Sequence, residues 1–158
     1  MTPKKVLLWT AGLFLVFQLV PYGRDHQNPP VTAEPAWDAA ETRALFFRAC
    51  RDCHSNETVW PWYSSVAPLS WLVAHDVEEG RSHFNVSTWG PESEHGDDAA
   101  GELEEGEMPL WFYLPLHPEA RLPDSERAAL IRGLEATFGS EQPDNGDGHH
   151  DGHGDHDH

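Results

Sequence analysis

Lysine is nearly absent. The 158 residues contain two, Lys4 and Lys5, both at the amino end. Lys plus Arg number 10 against 27 Asp plus Glu, a formal net charge of −17. A chain so poor in cations is excluded as a nucleic-acid binder, because phosphate contacts need a basic surface. Cysteine is scarce too, with only Cys50 and Cys53. Two thiols exclude a scaffold stapled by several disulfides. No segment alternates apolar and polar residues over a strand's length, so a sheet is not expected. No internal repeat, nucleophile elbow or phosphate loop is visible. What remains is apolar enough to pack: 39% hydrophobic, 11% aromatic, with 7 Trp. A wholly disordered chain is therefore excluded, and one domain of ordinary size is expected.

The amino end has the pattern of an export signal. Lys4-Lys5 precede the uncharged run Val6–Val20, and Pro21, Tyr22, Gly23 and Arg24 end it. Residues 6–22 reach the lower edge of the length that crosses a membrane. No small-x-small cleavage site follows closely. Residues 1–24 are expected to form an uncleaved signal anchor, a single transmembrane helix, with a cleaved signal peptide as the alternative. Lys4-Lys5 would stay in the cytoplasm. The expected location is the bacterial inner membrane, single-pass, with the globular part in the periplasm.

Residues 25–36 hold Pro29, Pro30 and Pro35 and read as an extended linker. Residues 37–139 carry the domain. Helices are predicted from Trp37 to Ala49, from Ser70 to Glu79 with a stop at Gly80, as a short exposed one around Asp98–Glu105, and from Pro123 to about Phe138. The fold class expected is all-α, with long loops. Residues 140–158 form a tail of Gly, Asp and His that cannot pack and is expected to be disordered. Its His149, His150, His153, His156 and His158 suit Zn, Cu or Ni, and a merely solubilising end explains them equally well.

The chemistry is concentrated in Cys50-Arg51-Asp52-Cys53-His54. C-x-x-C-H is the attachment pattern of a c-type haem. Two thiols three residues apart on a helical turn reach the two porphyrin vinyl groups, and the next residue offers an imidazole to the iron. A thioredoxin-type dithiol would need a βαβ setting, which is missing. A structural zinc site would need a second pair of ligands, also missing. A disulfide across so short a loop would stabilise little. One covalent haem c is the expected cofactor, with His54 as proximal ligand.

Further segments surround this motif: Trp60-Pro-Trp-Tyr-Ser64, Ala67-Pro-Leu-Ser-Trp-Leu-Val73, His75-Asp-Val77, Gly80-Arg81, Gly106-Glu-Met-Pro109 and Leu116-His-Pro-Glu-Ala-Arg-Leu122. With the C-x-x-C-H they resemble the bacterial haem-binding domain family of small envelope proteins, over roughly Asn28 to Phe138. The resemblance implies a cytochrome c-like helical domain with one N-terminal anchor. Cytochromes c commonly place a Met on the far side of the haem, before the last helix. Apart from Met1, only Met108 exists to fill that role. Met108 is thus the expected distal ligand, with His75, His83 and His117 as competitors. Arg51, Arg81 and Trp indole N–H groups are candidates for the haem propionates. Trp62 and its aromatic neighbours are candidates for the haem wall. Single-electron transfer to an unidentified redox partner is the expected activity, and an enzyme is not favoured. The alternatives are a five-coordinate haem sensor or peroxidase-like protein, and an envelope metal-handling protein that uses the His-rich tail.

Overall fold

The structure, a computed structural model, describes residues 2–90, 93 and 96–139. Among these residues it is all-helical, with six α-helices and no strand. They are α1 (Pro3–Phe17), α2 (Ala40–Ala49), α3 (Arg51–His54), α4 (Leu69–His83), α5 (Asp98–Glu105) and α6 (Asp124–Phe138). Short 3-10 turns lie at Trp62–Ser65 and Pro118–Ala120. The tail from residue 140 onward lies outside the described residues.

The core forms where α2, α5 and α6 meet. Leu45 and Phe46 of α2, Leu103 of α5, and Leu130 and Leu134 of α6 are buried together with Val86. Rings extend this core: Trp37 packs on Phe46 at 5.1 Å, and Phe84 and Trp89 both meet Phe138. Helix α6 opens with Asp124 and Glu126 in its first turn, where carboxylates favour the positive end of the helix dipole. Gly133 lets α2 approach α6, since a Cβ there would lie 2.2 Å from Thr42 Oγ1.

The expected transmembrane anchor is overturned. No helix among the described residues is long and apolar enough to cross a membrane. Helix α1 has 15 residues. At about 1.5 Å per residue it spans about 22 Å, short of a hydrocarbon core of about 30 Å. It stops because Gln18 is claimed by the domain. The Gln18 amide donates to the Ala67 carbonyl at 2.8 Å and accepts from the Ala67 N–H at 3.1 Å. Arg24 donates to the same Gln18, at its carbonyl and at its side-chain oxygen. Phe17 packs edge-on against Trp71, and Tyr22 donates to Glu78. Gly23 has φ +77° and runs so close to α4 that a Cβ would meet the Ser70 carbonyl oxygen. Residues 17–24 thus pack against the globular part.

The segment 25–36 is extended but tied down. Asn28 donates to the Thr58 carbonyl, Thr32 N–H donates to Ser87, and Ala33 makes an isolated bridge with Thr88. A second correction concerns Gly80. It does not end α4, which continues to His83. A Cβ on Gly80 would lie 2.6 Å from the Cys53 carbonyl oxygen, so the glycine serves the close packing of α3 on α4. Gly80→Ala is expected to cost about 1–3 kcal/mol through overpacking. Gly101→Ala, inside α5 with nothing within 4 Å of the new Cβ, is expected to stabilise by about 0.4–1 kcal/mol. Urea unfolding of both variants checks the pair. Equal effects would contradict the packing role.

Candidate haem site

Helix α2 ends at Ala49, and its capping residue Cys50, with φ of −121°, turns the chain into α3. The Cys50 carbonyl accepts from the N–H of Cys53 at 3.3 Å and of His54 at 3.0 Å. That single turn brings both thiols and the imidazole to one cavity of about 270 Å3. Met108 reaches the same cavity from the loop after α5. Phe46, Leu103 and Leu134 form its apolar wall, so the core and the cavity share side chains. Both half-buried cysteines line this cavity.

The local chemistry suits a porphyrin iron. His54 is buried and stacks on Phe84 with ring centroids 4.4 Å apart. Its Nδ1 lies 3.3 Å from the Phe84 carbonyl oxygen. The tautomer that donates from Nδ1 keeps the lone pair on Nε2 for a metal. Burial pushes the His54 pKa down, against the pull of the Phe84 and Gly80 carbonyls, and nearby His83 lowers it further. A neutral imidazole is the form that ligates. Burial also pushes the Cys50 and Cys53 thiols up to about 12. Neighbouring charge adds to this: Cys53 at Cys50, and Asp76 and Asp52 at Cys53, which Arg81 opposes. Thiols held neutral are poor partners for disulfide exchange.

The other expected site residues are distributed differently. His83 lines the cavity, whereas His75 and His117 do not. Arg81 lies outside the lining. Its guanidinium donates to the carbonyls of Ser55 (2.9 Å) and Gln27 (3.1 Å), to Asn28 Oδ1 (3.0 Å) and to Thr58 Oγ1 (2.8 Å). It fastens residues 27–28 and 55–58 to α4. Trp62 also lies outside, 81% exposed. The aromatic side chains in the lining are Phe46, Phe84 and Tyr113 beside His54 and His83, and no Trp is among them. Arg51 is absent from the lining as well. The tail histidines 149, 150, 153, 156 and 158 lie outside the described residues. Among the described residues no three His, Cys, Asp or Glu side chains gather to hold a bare metal ion.

Sequence reasoning missed Tyr113 and Asp52. Tyr113 donates to Asp52 Oδ2 at 2.8 Å, and both line the cavity. Asp52 sits inside the C-x-x-C itself, which was the available signal. Tyr113 carries none, being one ring in an aromatic run. Asp76, Glu79, Asp98 and Glu102 add carboxylates to the lining, which contains no Lys or Arg.

Residues 12–136 match the family model described as a haem-binding domain. The chain belongs to the haem-binding domain family. Neither a curated protein nor a solved structure matches it. The family match and the donor set of the cavity agree on the cofactor class: two thiols, an imidazole and a thioether around apolar walls fit a haem.

Without haem, both thiols of this haem-binding domain are expected to alkylate slowly at pH 8, on the order of a hundredfold slower than a free cysteine. The rate should climb as the pH approaches 12, because only the thiolate reacts. Iodoacetamide labelling followed by mass spectrometry measures it. Labelling at the free-thiol rate at pH 8 would refute the shielding.

Proposed function

We propose that the domain binds one haem c covalently and passes single electrons. The observation that carries this reading is the gathering of Cys50, Cys53, His54 and Met108 on one apolar cavity. Cys50 and Cys53 would hold the porphyrin through thioethers. His54 would supply the proximal nitrogen, with Phe84 orienting the ring through its carbonyl. Met108 would supply the distal sulfur. Bound haem would supply a one-electron iron couple, and a neutral thioether ligand favours its ferrous form. Phe46, Leu103 and Leu134 keep water off that face. The carboxylates Asp76, Glu79, Asp98 and Glu102 favour the ferric form and suit a redox partner with a basic face.

A periplasmic location belongs to the same reading. Covalent attachment at C-x-x-C-H takes place outside the bacterial cytoplasm, and Lys4-Lys5 followed by the apolar α1 has the charge order of an export signal. Fractionation of the native host tests it directly.

Production in a host with haem-attachment machinery tests the cofactor chemistry. Haem should remain on the denatured chain. Cys50→Ala should leave one thioether, and Cys50→Ala with Cys53→Ala none. The ferric protein should show the weak long-wavelength band of thioether-to-iron charge transfer. Met108→Ala should abolish that band, lower the reduction potential and admit cyanide or CO readily. Ready binding of CO or cyanide to the unaltered protein would favour an open coordination position, and with it the sensor or peroxidase-like reading. Chain recovered without covalent haem under these conditions would end the proposal.

A further inference from the structure

The loop that carries Met108 is fastened at both ends, and the two fastenings differ in kind. On the near side the Met108 N–H donates to the Glu102 carbonyl of α5 at 3.1 Å. On the far side, five residues on, the Tyr113 hydroxyl donates to Asp52 Oδ2 at 2.8 Å. Asp52 lies between the two cysteines and is itself held. Its Oδ1 accepts from the Val59 N–H at 3.0 Å, and its carbonyl accepts from the Thr58 hydroxyl at 2.7 Å.

The Tyr113 ring is also clamped. It stacks on His117 with centroids 3.8 Å apart and planes 9° from parallel. His117 is buried between two further partners. Its Nε2 lies 2.6 Å from the Tyr63 hydroxyl, and its Nδ1 lies 3.3 Å from Glu119 Oε1. Donation from Tyr63 to Nε2 and from Nδ1 to Glu119 satisfies all three groups. Tyr63 stands on the 3-10 turn that packs against α4. Burial first and the Asp52 charge second push the Tyr113 phenol up, so it remains a donor through the ordinary pH range.

We infer that Tyr113 is a positioning residue: its hydroxyl latches the Met108 loop onto Asp52 of the C-x-x-C segment, and the His117–Tyr63 pair braces its ring. The latch ties the distal donor to the same five residues that hold the proximal one. Loss of the hydroxyl frees Met108 to leave while the thiols and His54 stay in place. This inference rests on the proposed role of Met108, and the test below separates the two.

The haem-loaded full chain is compared as wild type, Tyr113→Phe, Asp52→Ala, Asp52→Asn and the double variant Tyr113→Phe/Asp52→Ala. Imidazole is added to the ferric form, and decay of the thioether-to-iron band is followed. Tyr113→Phe and Asp52→Ala should each speed displacement by about tenfold, the factor of a typical net hydrogen bond. The double variant should be no faster than either single one. Asp52→Asn offers one acceptor oxygen where Asp52 uses two, for the Tyr113 hydroxyl and the Val59 N–H, and should give a rate between wild type and Asp52→Ala. Unchanged displacement in Tyr113→Phe, or additive acceleration in the double variant, would overturn the latch.

A second arm needs no haem. Amide hydrogen exchange in the haem-free chain should rise about tenfold at residues 108–117 in Tyr113→Phe, with α2 and α6 unchanged. Unaltered exchange in the loop, or a uniform rise across the core, would overturn the latch. A wild-type protein without the thioether band would instead refute Met108 as ligand, and the exchange arm would still decide the role of Tyr113.

Discussion

The close approach of α3 to α4 is the constraint on which the site depends. Gly80 leaves no Cβ between the helices, and the Cys53 backbone fills that space. Four residues of α3 are too few to hold their own geometry, because a single turn pays the full cost of helix nucleation. Tertiary contact must hold it, and α4 supplies that contact. From this seat the thiols and His54 face one cavity, while the His54 carbonyl accepts from the Val86 N–H at 3.0 Å and draws the following loop into the core.

Burial and chemistry share the same walls. Phe46, Leu103 and Leu134 belong to the core and to the cavity at once. Loss of core packing would therefore open the cavity to water, and loss of the cavity's occupant would leave apolar walls facing solvent. A polar network meets the same cavity through Asp52 and Tyr113. Asp52, Tyr113, His117, Tyr63 and Glu119 pair with one another at the boundary between the C-x-x-C segment and the Met108 loop. Such groups are costly to bury alone and cheap when satisfied, which is why they occur as a set.

Charge is arranged by the same economy of cations. Arginine is scarce, and the half-buried Arg81 serves structure. Arg81 spends its donors on residues 27, 28, 55 and 58, which fasten the amino-terminal segment to the domain. The cavity lining is left with carboxylates and no Lys or Arg. Arg81, which the sequence suggests for the propionates, donates here to four protein acceptors; a single sequence shows charge but not which acceptors surround it.

The sequence by itself determined the chemistry and the element order. C-x-x-C-H sets thiols and imidazole by covalent spacing, and covalent spacing is local. The helices at 40–49 and 124–138 follow from apolar period and end signals, which are local too, whereas the helix at 98–105, expected as an exposed one, buries Ala100 and Leu103 because α6 packs on it. The tertiary structure decided everything that depends on distant partners. It ended α1 at Phe17, because Gln18 is held by Ala67, where hydropathy alone extends the run to Val20. It carried α4 through Gly80, because a helix interior accepts glycine where another backbone must come close. It replaced tryptophan with Phe84 and Tyr113 beside the thiols, because which ring faces a cavity is set by packing and not by ring size. It joined Tyr113 to Asp52 across 61 positions, a pairing that neither residue signals alone, because a hydrogen bond has no sequence pattern when one end lies on a short helix and the other on a distant loop.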